Sequence, residues 1–186
     1  MNKSPIKRIL AVDLRSTRVG FAVVETPIQL LDWGKRAITA DSCSSLLVWL
    51  LHKYGISLMV VRRIRPDSPR NTVRVKQGSH EIRKIARTRS IELAVLSESD
   101  FARVFQQHEK RTRFEIACLM TIIFPELAQF LPRPRRCFEP ENRRMSAFDA
   151  VALAVAYLAI QTEHDSVRQL LTSAAQEFFQ RPLGDE

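Results

Sequence analysis

Short apolar runs separated by polar turns occupy the first part of the chain. Residues 7–14 are apolar at nearly every position until Asp13, a pattern typical of a central strand in a sheet covered on both faces. Residues 19–25 and 30–38 have the composition of a second and a third strand. Because the connections between the three segments are short, we predict an antiparallel meander.

Helical and strand patterns alternate in the rest of the chain. A helix that ends at Gly55 precedes a strand over 57–64, and a helical connection of this kind predicts that the strand is parallel to the first. The later predicted elements are a basic helix over 73–88, a strand over 91–97 and helices over 101–109, from Thr112 to Pro125, over 145–160 and over 165–180. Thr112 and Glu115, three residues apart, are predicted to form a capping box at the start of the helix that ends at Pro125. This order predicts an α/β fold with a mixed five-stranded sheet and helices on both faces.

The composition fits a globular domain. The chain has 186 residues, of which 45% are hydrophobic, enough for one domain with a packed core. Its three cysteines lack C-x-x-C spacing, which argues against a zinc site or a disulfide framework. No apolar run approaches the ~20 residues that span a bilayer, so we expect a cytoplasmic protein without a membrane partner.

The positive charge is concentrated in one window. The net charge is +9, and ten basic residues between Arg62 and Arg89 are opposed only by Asp67 and Glu81. The window lacks aromatic side chains, so phosphate contact is favoured over base stacking; a solvated basic face is the alternative. The predicted nucleic-acid contacts are Arg15, Arg62, Arg63, Arg70, Arg74, Lys76, Arg83 and Arg87. A second basic cluster comprises Arg133, Arg135, Arg136, Arg143 and Arg144.

Two carboxylates stand in apolar surroundings. Asp13 ends the first strand, and binding sites of open α/β sheets form beyond such strand ends. Asp149 interrupts an apolar helix that continues with alanine at every second position from 150 to 156. Small residues let a helix approach a sheet closely, so we predict that the two acids are neighbours. Converging carboxylates need a cation or proton between them, and oxygen ligands suit Mg²⁺ or Mn²⁺; simple capping roles are the alternative.

Two segments of the chain, one near its start and one in the last long apolar helix, resemble a known family. The segment ILAVDLRSTRVGFAVVE resembles the first strand and hairpin of RuvC-like nucleases, with Asp13, Ser16 and Gly20 at the matching spacing. The segment FDAVALAVAYL resembles the terminal helix of that family, with Asp149 on the catalytic acid. The resemblance covers most of residues 6–160. It implies a ribonuclease H-like domain over 1–162, with 163–186 as a C-terminal helical extension of the same domain.

The resemblance also implies a function. A RuvC-like protein is expected to be a metal-dependent endonuclease that acts on branched DNA, such as a Holliday junction, or on structured nucleic acid. Asp13 and Asp149 are then the catalytic and metal-binding residues, with Mg²⁺ or Mn²⁺ as the cofactor. The implied partners are nucleic acid, with DNA favoured over RNA, and a second copy of the chain in a homodimer.

The chain departs from the family at two expected acids. Arg62 or Arg63 stands where the family has a glutamate after the fourth strand, and Ser146 replaces an acid three residues before Asp149. An arginine at that strand end is expected to neutralise the two carboxylates in place of a metal. The alternative function is therefore a catalytically degenerate domain that binds nucleic acid or a protein without cleaving. Candidate substitute acids are Asp67, Glu81, Glu98, Glu139 and Glu141.

A third interpretation rests on the turn after the first strand. The D-x-x-S-T turn is also similar to the phosphate loop of actin-like and sugar-kinase ATPases. Those proteins need two such domains and a glycine-rich turn, and this chain is short and has only five glycines. The presence of a third carboxylate near Asp13 and Asp149 separates the two remaining hypotheses: an acid there favours cleavage, and an arginine there favours binding alone.

Overall fold

A computed structural model describes residues 7–37, 42–65, 67–68, 72–105, 111–136, 138–140, 142–161 and 165–180. Five strands form one sheet in the order β3-β2-β1-β4-β5. β1, β2 and β3 are antiparallel neighbours, and β4 and β5 run parallel to β1. The mixed sheet predicted from the sequence is therefore confirmed. The strands are β1 (Arg8–Leu14), β2 (Arg18–Glu25), β3 (Gln29–Ala37), β4 (Leu58–Arg62) and β5 (Glu92–Leu96).

Six α-helices accompany the sheet within the described residues. They are α1 (Ser42–Tyr54), α2 (Val73–Thr88), α3 (Glu98–Phe105), α4 (Arg113–Ile123), α5 (Met145–Ile160) and α6 (Asp165–Gln180), with a short 3₁₀ helix at Pro125–Phe130. The helix predicted over 101–109 begins three residues earlier, and its end at 106–109 lies outside the described residues. None of the described helices combines the length and apolar character needed to cross a bilayer.

The core has one layer on each face of the sheet. Ile9 and Ala11 of β1 belong to the layer that contains α5, whereas Leu10 and Val12 belong to the layer formed with α1 and α2. Because side chains alternate along a strand, Asp13 is in phase with Ile9 and Ala11. The sheet therefore presents Asp13 on the same face as α5.

Gly20 allows α5 to lie directly on the sheet. It pairs with Asp13 in the β1–β2 register, and a Cβ atom at this position would overlap the backbone carbonyl of Ser146 in the first turn of α5. The missing side chain thus sets the distance between the helix and the strands. Asp149, one turn further along α5, is consequently held close to the end of β1.

The first turn of α4 is fixed by a capping box. The Thr112 hydroxyl accepts a hydrogen bond from the Glu115 amide, and the Glu115 carboxylate accepts one from the Thr112 amide. This pairing was predicted from the sequence. It places Arg113 at the first helical position of α4, which packs against α5.

Candidate functional site

The structure brings Asp13 and Asp149 into one buried site. Asp13 is 2% exposed and Asp149 is 7% exposed. Arg15, from the turn after β1, lies between them. Its Nε atom donates to Asp13 Oδ2 at 2.6 Å, and its Nη2 atom donates to Asp149 Oδ2 at 2.6 Å. A single guanidinium therefore bridges the two carboxylates.

Arg113 adds a second guanidinium on the far side of Asp149. Its Nε atom donates to Asp149 Oδ1 at 3.1 Å, and its Nη2 atom also bonds to Asp149 Oδ2. At least three of the four carboxylate oxygens of the pair thus accept hydrogen bonds from arginine. The site is an ion network in which two acids and two bases compensate each other.

The protonation of the network follows from its burial. Burial raises the pKa of Asp13 above its ordinary value, and the charge of Asp149 adds to this effect, whereas Arg15 and Arg62 oppose it. Burial by itself lowers the pKa of Arg15, but the attraction of Asp13 and Asp149 outweighs it, and the pKa is raised. Arg15 therefore remains cationic, and the folded protein holds a proton on Asp13 more tightly than an exposed aspartate would.

No third acid completes the pair among the residues that the structure describes. They contain no group of three or more histidine, cysteine, aspartate or glutamate side chains able to hold a metal ion. Ser146 uses its hydroxyl to donate to the carbonyl oxygen of Arg143. The position of the missing helix acid is therefore occupied by a residue that bonds within its own turn.

Arg62 stands at the strand end where the resemblance expects a glutamate. Its guanidinium lies 3.9 Å from the centre of the Phe101 ring, and its buried Nε atom has no hydrogen-bond partner among the described residues. It is close enough to lower the pKa of Asp13. The sequence prediction that the arginine of this strand end neutralises the pair is corrected in one respect: the bonded arginines are Arg15 and Arg113.

None of the candidate substitute acids that the structure describes forms a metal-holding group with Asp13 and Asp149. Asp67 and Glu98 line the cavity beside Asp13, without forming a metal cluster with it. Glu81 accepts a hydrogen bond from Ser44, and Glu139 accepts one from the Arg136 amide. Glu141 is outside the described residues.

The residues present do not fit Mg²⁺ or Mn²⁺ in this arrangement. Such ions need several oxygen ligands with an excess of negative charge. Here the charges of Asp13 and Asp149 are balanced by Arg15 and Arg113, and Arg62 adds a further positive charge nearby. The cation required between the two carboxylates is thus a guanidinium supplied by the chain itself.

A basic cavity opens next to Asp13, and we call it the α2 cavity. It has a volume of about 560 Å³ and lies at the carboxyl ends of β1, β4 and β5, with α2 as a wall. Three carboxylates line it, from Asp13, Asp67 and Glu98, against five cationic side chains, those of Arg62, Arg63, Arg65, Lys76 and Arg83. Four of the predicted phosphate-binding residues therefore meet in one cavity.

The other predicted contacts are distributed differently. Arg74 and Arg87 are exposed on α2 but do not line the cavity. Arg70 lies outside the described residues. Arg15 was predicted to contact phosphate, and the structure directs its guanidinium to the two carboxylates instead. Arg113, the second base of the network, was not identified from the sequence, because its position depends on the packing of α4 against α5.

No protein-family model matches the chain, and no curated protein matches it. Several solved structures, however, are similar to the chain in fold. The Thermus thermophilus RuvC structure aligns with a TM-score of 0.63 at 13% identity, covering 84% of this chain and 97% of that one.

Two other resolvase structures align over similar lengths. The yeast mitochondrial Holliday junction resolvase Ydc2 gives a TM-score of 0.58 at 13% identity and covers 94% of this chain and 84% of its own. The Fowlpox virus resolvase, solved with its substrate Holliday junction DNA, gives 0.53 at 14% identity and covers 82% and 99%. At such low identity the likeness concerns the fold. The chain therefore has the ribonuclease H-like fold in the form found in RuvC-type resolvases.

Proposed function

We propose that the protein binds branched or structured nucleic acid, with DNA favoured, at the carboxyl edge of its sheet, and that it does so without metal-dependent cleavage. One observation carries the proposal: Arg15 is bonded to both carboxylates of the site, with Arg113 also on Asp149. The fold supports a nucleic-acid partner, since the aligned Fowlpox virus resolvase was solved with Holliday junction DNA.

The binding part of the proposal rests on cations without carboxylate partners. Arg74, Lys76, Arg83 and Arg87 of α2 are exposed, and within the described part of the chain none of them forms an ion pair. The buried face of α2 is apolar, which fixes the cationic face outwards. Lysine and arginine in such a position bind the phosphate backbone and release its counterions.

The lack of cleavage follows from the use of the carboxylates. Hydrolysis of a phosphodiester by a metal-dependent nuclease requires carboxylate oxygens that are available to the ion. In this site those oxygens hold Arg15 and Arg113, and each guanidinium compensates a buried charge that would otherwise be costly. Through these bonds, Arg15 anchors the β1–β2 turn to α5, and Arg113 anchors α4 to α5.

The second candidate is a metal-dependent endonuclease. The observation in its favour is that Asp13, at the end of β1, and Asp149, near the start of α5, share a buried site. Those are the positions that the RuvC-like resemblance gives to catalytic acids. This candidate requires product formation that depends on Mg²⁺ or Mn²⁺ and that disappears in Asp13→Asn.

Binding and cleavage can be measured in one experiment. The full chain is incubated with a four-way DNA junction, a structured RNA or a linear duplex, in Mg²⁺, in Mn²⁺ or in EDTA. We expect a retarded junction complex in all three buffers and no cleavage product in any. Metal-dependent product that is lost in Asp13→Asn would establish the second candidate. The absence of any complex would overturn the nucleic-acid proposal.

Removing cations from α2 tests the binding surface. We expect Arg83→Gln/Arg87→Gln to weaken junction affinity about tenfold and to reduce the slope of log affinity against log salt by roughly 1.8, because two phosphate contacts are lost. Fluorescence anisotropy at a series of salt concentrations gives both values.

The matched control for that variant removes the same charge at the other end of the sheet. Arg8→Gln/Lys53→Gln deletes two cations that already pair with Glu25 and Asp32. Arg8 is the first residue of β1, so it lies at the end of the sheet opposite to the one where β1, β4 and β5 finish. The junction affinity of Arg8→Gln/Lys53→Gln and its salt slope are expected to match those of the unmodified protein. Equal effects of the two double variants would mean that net charge alone governs binding.

A further inference from the structure

A second concentration of cations lies on the other side of the carboxylates, and we call it the β2–β3 patch. Its members come from β2, from β3 and from the segment before α5: Arg18, Lys35, Arg36, Arg143 and Arg144. A cavity of about 410 Å³ is lined by Thr17, Arg18, Lys35, Arg36, Ala37 and Arg143. The strand register explains this assembly, because Arg18 pairs with Ala37 and Gly20 pairs with Lys35.

The patch has no compensating acid among the described residues. No carboxylate lines its cavity, and none of its five cations takes part in an ion pair within that part of the chain. Partial burial, followed by repulsion from Arg143, Arg15 and Arg113, lowers the pKa of Arg18. Partial burial, followed by repulsion from Arg18, Arg143 and Arg144, lowers the pKa of Lys35. The cations therefore repel one another, and a bound polyanion relieves that repulsion.

The position of the patch relative to the α2 cavity is set by the sheet order. β1 and Asp13 lie between β2 and β4, so the patch is on the β2–β3 side and the α2 cavity is on the β4–β5 side. β3 and β4 are separated by three strand spacings, roughly 14 Å. Gly20 contributes to this geometry, because the close approach of α5 to β2 brings Arg143 near Arg18 and Lys35, and Arg144 near Lys35.

We propose that the β2–β3 patch is a second phosphate-binding site, which holds one arm of branched DNA while the exposed cations of α2, on the side of the α2 cavity, hold another. The inference rests on the proposed function and names the feature of the substrate that the two sites distinguish. A linear duplex engages one site at a time, whereas a junction engages both. The second contact is then intramolecular and raises affinity through effective concentration.

The test compares a four-way junction with a linear duplex that matches one arm. The proteins are the full chain, Arg18→Gln/Lys35→Gln, Arg83→Gln/Arg87→Gln and the control Arg8→Gln/Lys53→Gln. Each of the three variants lacks two positive charges. We expect Arg18→Gln/Lys35→Gln to lose about tenfold or more in junction affinity, but less than about threefold in duplex affinity. The preference for the junction should therefore disappear in this variant and persist in the control.

The possible outcomes separate this inference from the proposed function. If Arg18→Gln/Lys35→Gln behaves like the control while Arg83→Gln/Arg87→Gln is impaired, the second site is refuted and the proposed function stands. If the unmodified protein binds neither DNA, both are refuted.

A free phosphate ligand is tested by thermal unfolding in inorganic phosphate and in chloride at equal ionic strength. Stabilisation by phosphate that is lost in Arg18→Gln/Lys35→Gln, with junction affinity unchanged, would assign the patch to a small anion and overturn the DNA-arm assignment. Junction affinity that falls as expected, with no phosphate effect, supports the second arm.

Discussion

Gly20→Ala is expected to lower the free energy of unfolding by about 3 kcal/mol or more, a cost at the upper end of that for overpacking a core. The added methyl group would overlap the backbone carbonyl of Ser146, and a backbone atom inside the first turn of α5 cannot rotate away. α5 then has to shift from the sheet, although nearly all of its side chains are buried. Urea unfolding followed by circular dichroism measures the change.

Gly55→Ala is the matched control for this substitution. Gly55 has φ +59°, and no atom of the described residues lies within 4 Å of the place that an added methyl group would take. Alanine there therefore costs about 1 kcal/mol through backbone conformation alone. A Gly20→Ala protein as stable as Gly55→Ala would show that α5 does not rest on β2. It would also remove the reason for the proximity of Asp13 and Asp149.

The two site carboxylates are expected to respond oppositely to amidation. Asp149→Asn should cost about 2–3 kcal/mol, because Arg15 and Arg113 both lose the charged acceptor that compensates their burial. Asp13→Asn should leave stability unchanged or raise it at neutral pH, because burial and the charge of Asp149 make the ionised form of Asp13 unfavourable. Urea midpoints of the two variants and the unmodified protein test both expectations.

The pH dependence of the free energy of unfolding provides the control for the Asp13→Asn expectation. Its pKa is raised in the folded protein above the ordinary 3.8, so the folded state binds the proton more tightly than the unfolded state. Its contribution to stability is therefore complete below about 3.8 and is lost as the pH rises through the raised value. The advantage of Asp13→Asn over the unmodified protein should grow over that range. A constant difference, or an Asp13→Asn protein as unstable as Asp149→Asn, would contradict this account.

The elements of the fold were largely predictable, because their signals are local. The two-sided apolar pattern of β1 and the short connections after it predicted a central strand in a meander, and the capping residues Thr112 and Glu115 predicted the start of α4. The alanines after Asp149 predicted a helix that lies close to the sheet. These features depend on residues adjacent in sequence or on one helical face.

The bonding within the site was less predictable, because it depends on side-chain direction and on contacts between distant segments. The guanidinium of Arg15 is a group suited to phosphate. Only the closed β1–β2 turn shows that it points to Asp13 and Asp149 instead. Arg113 reaches Asp149 from a separate helix, 36 residues earlier. Of the β2–β3 patch, only Arg143 and Arg144 belonged to a basic cluster predicted from the sequence. Arg18, Lys35 and Arg36 are dispersed in sequence and meet through the register of β2 and β3.

The bridge formed by Arg15 has a consequence for biosynthesis. It joins two positions 134 residues apart, so Asp149 is synthesised long after the turn that will hold it. Before α5 has been synthesised, Asp13 lacks the neighbouring charge that raises its affinity for protons, and Arg15 has one acidic partner fewer. The ion network thus forms only when α5 docks on the sheet, late in synthesis and before α6 is added.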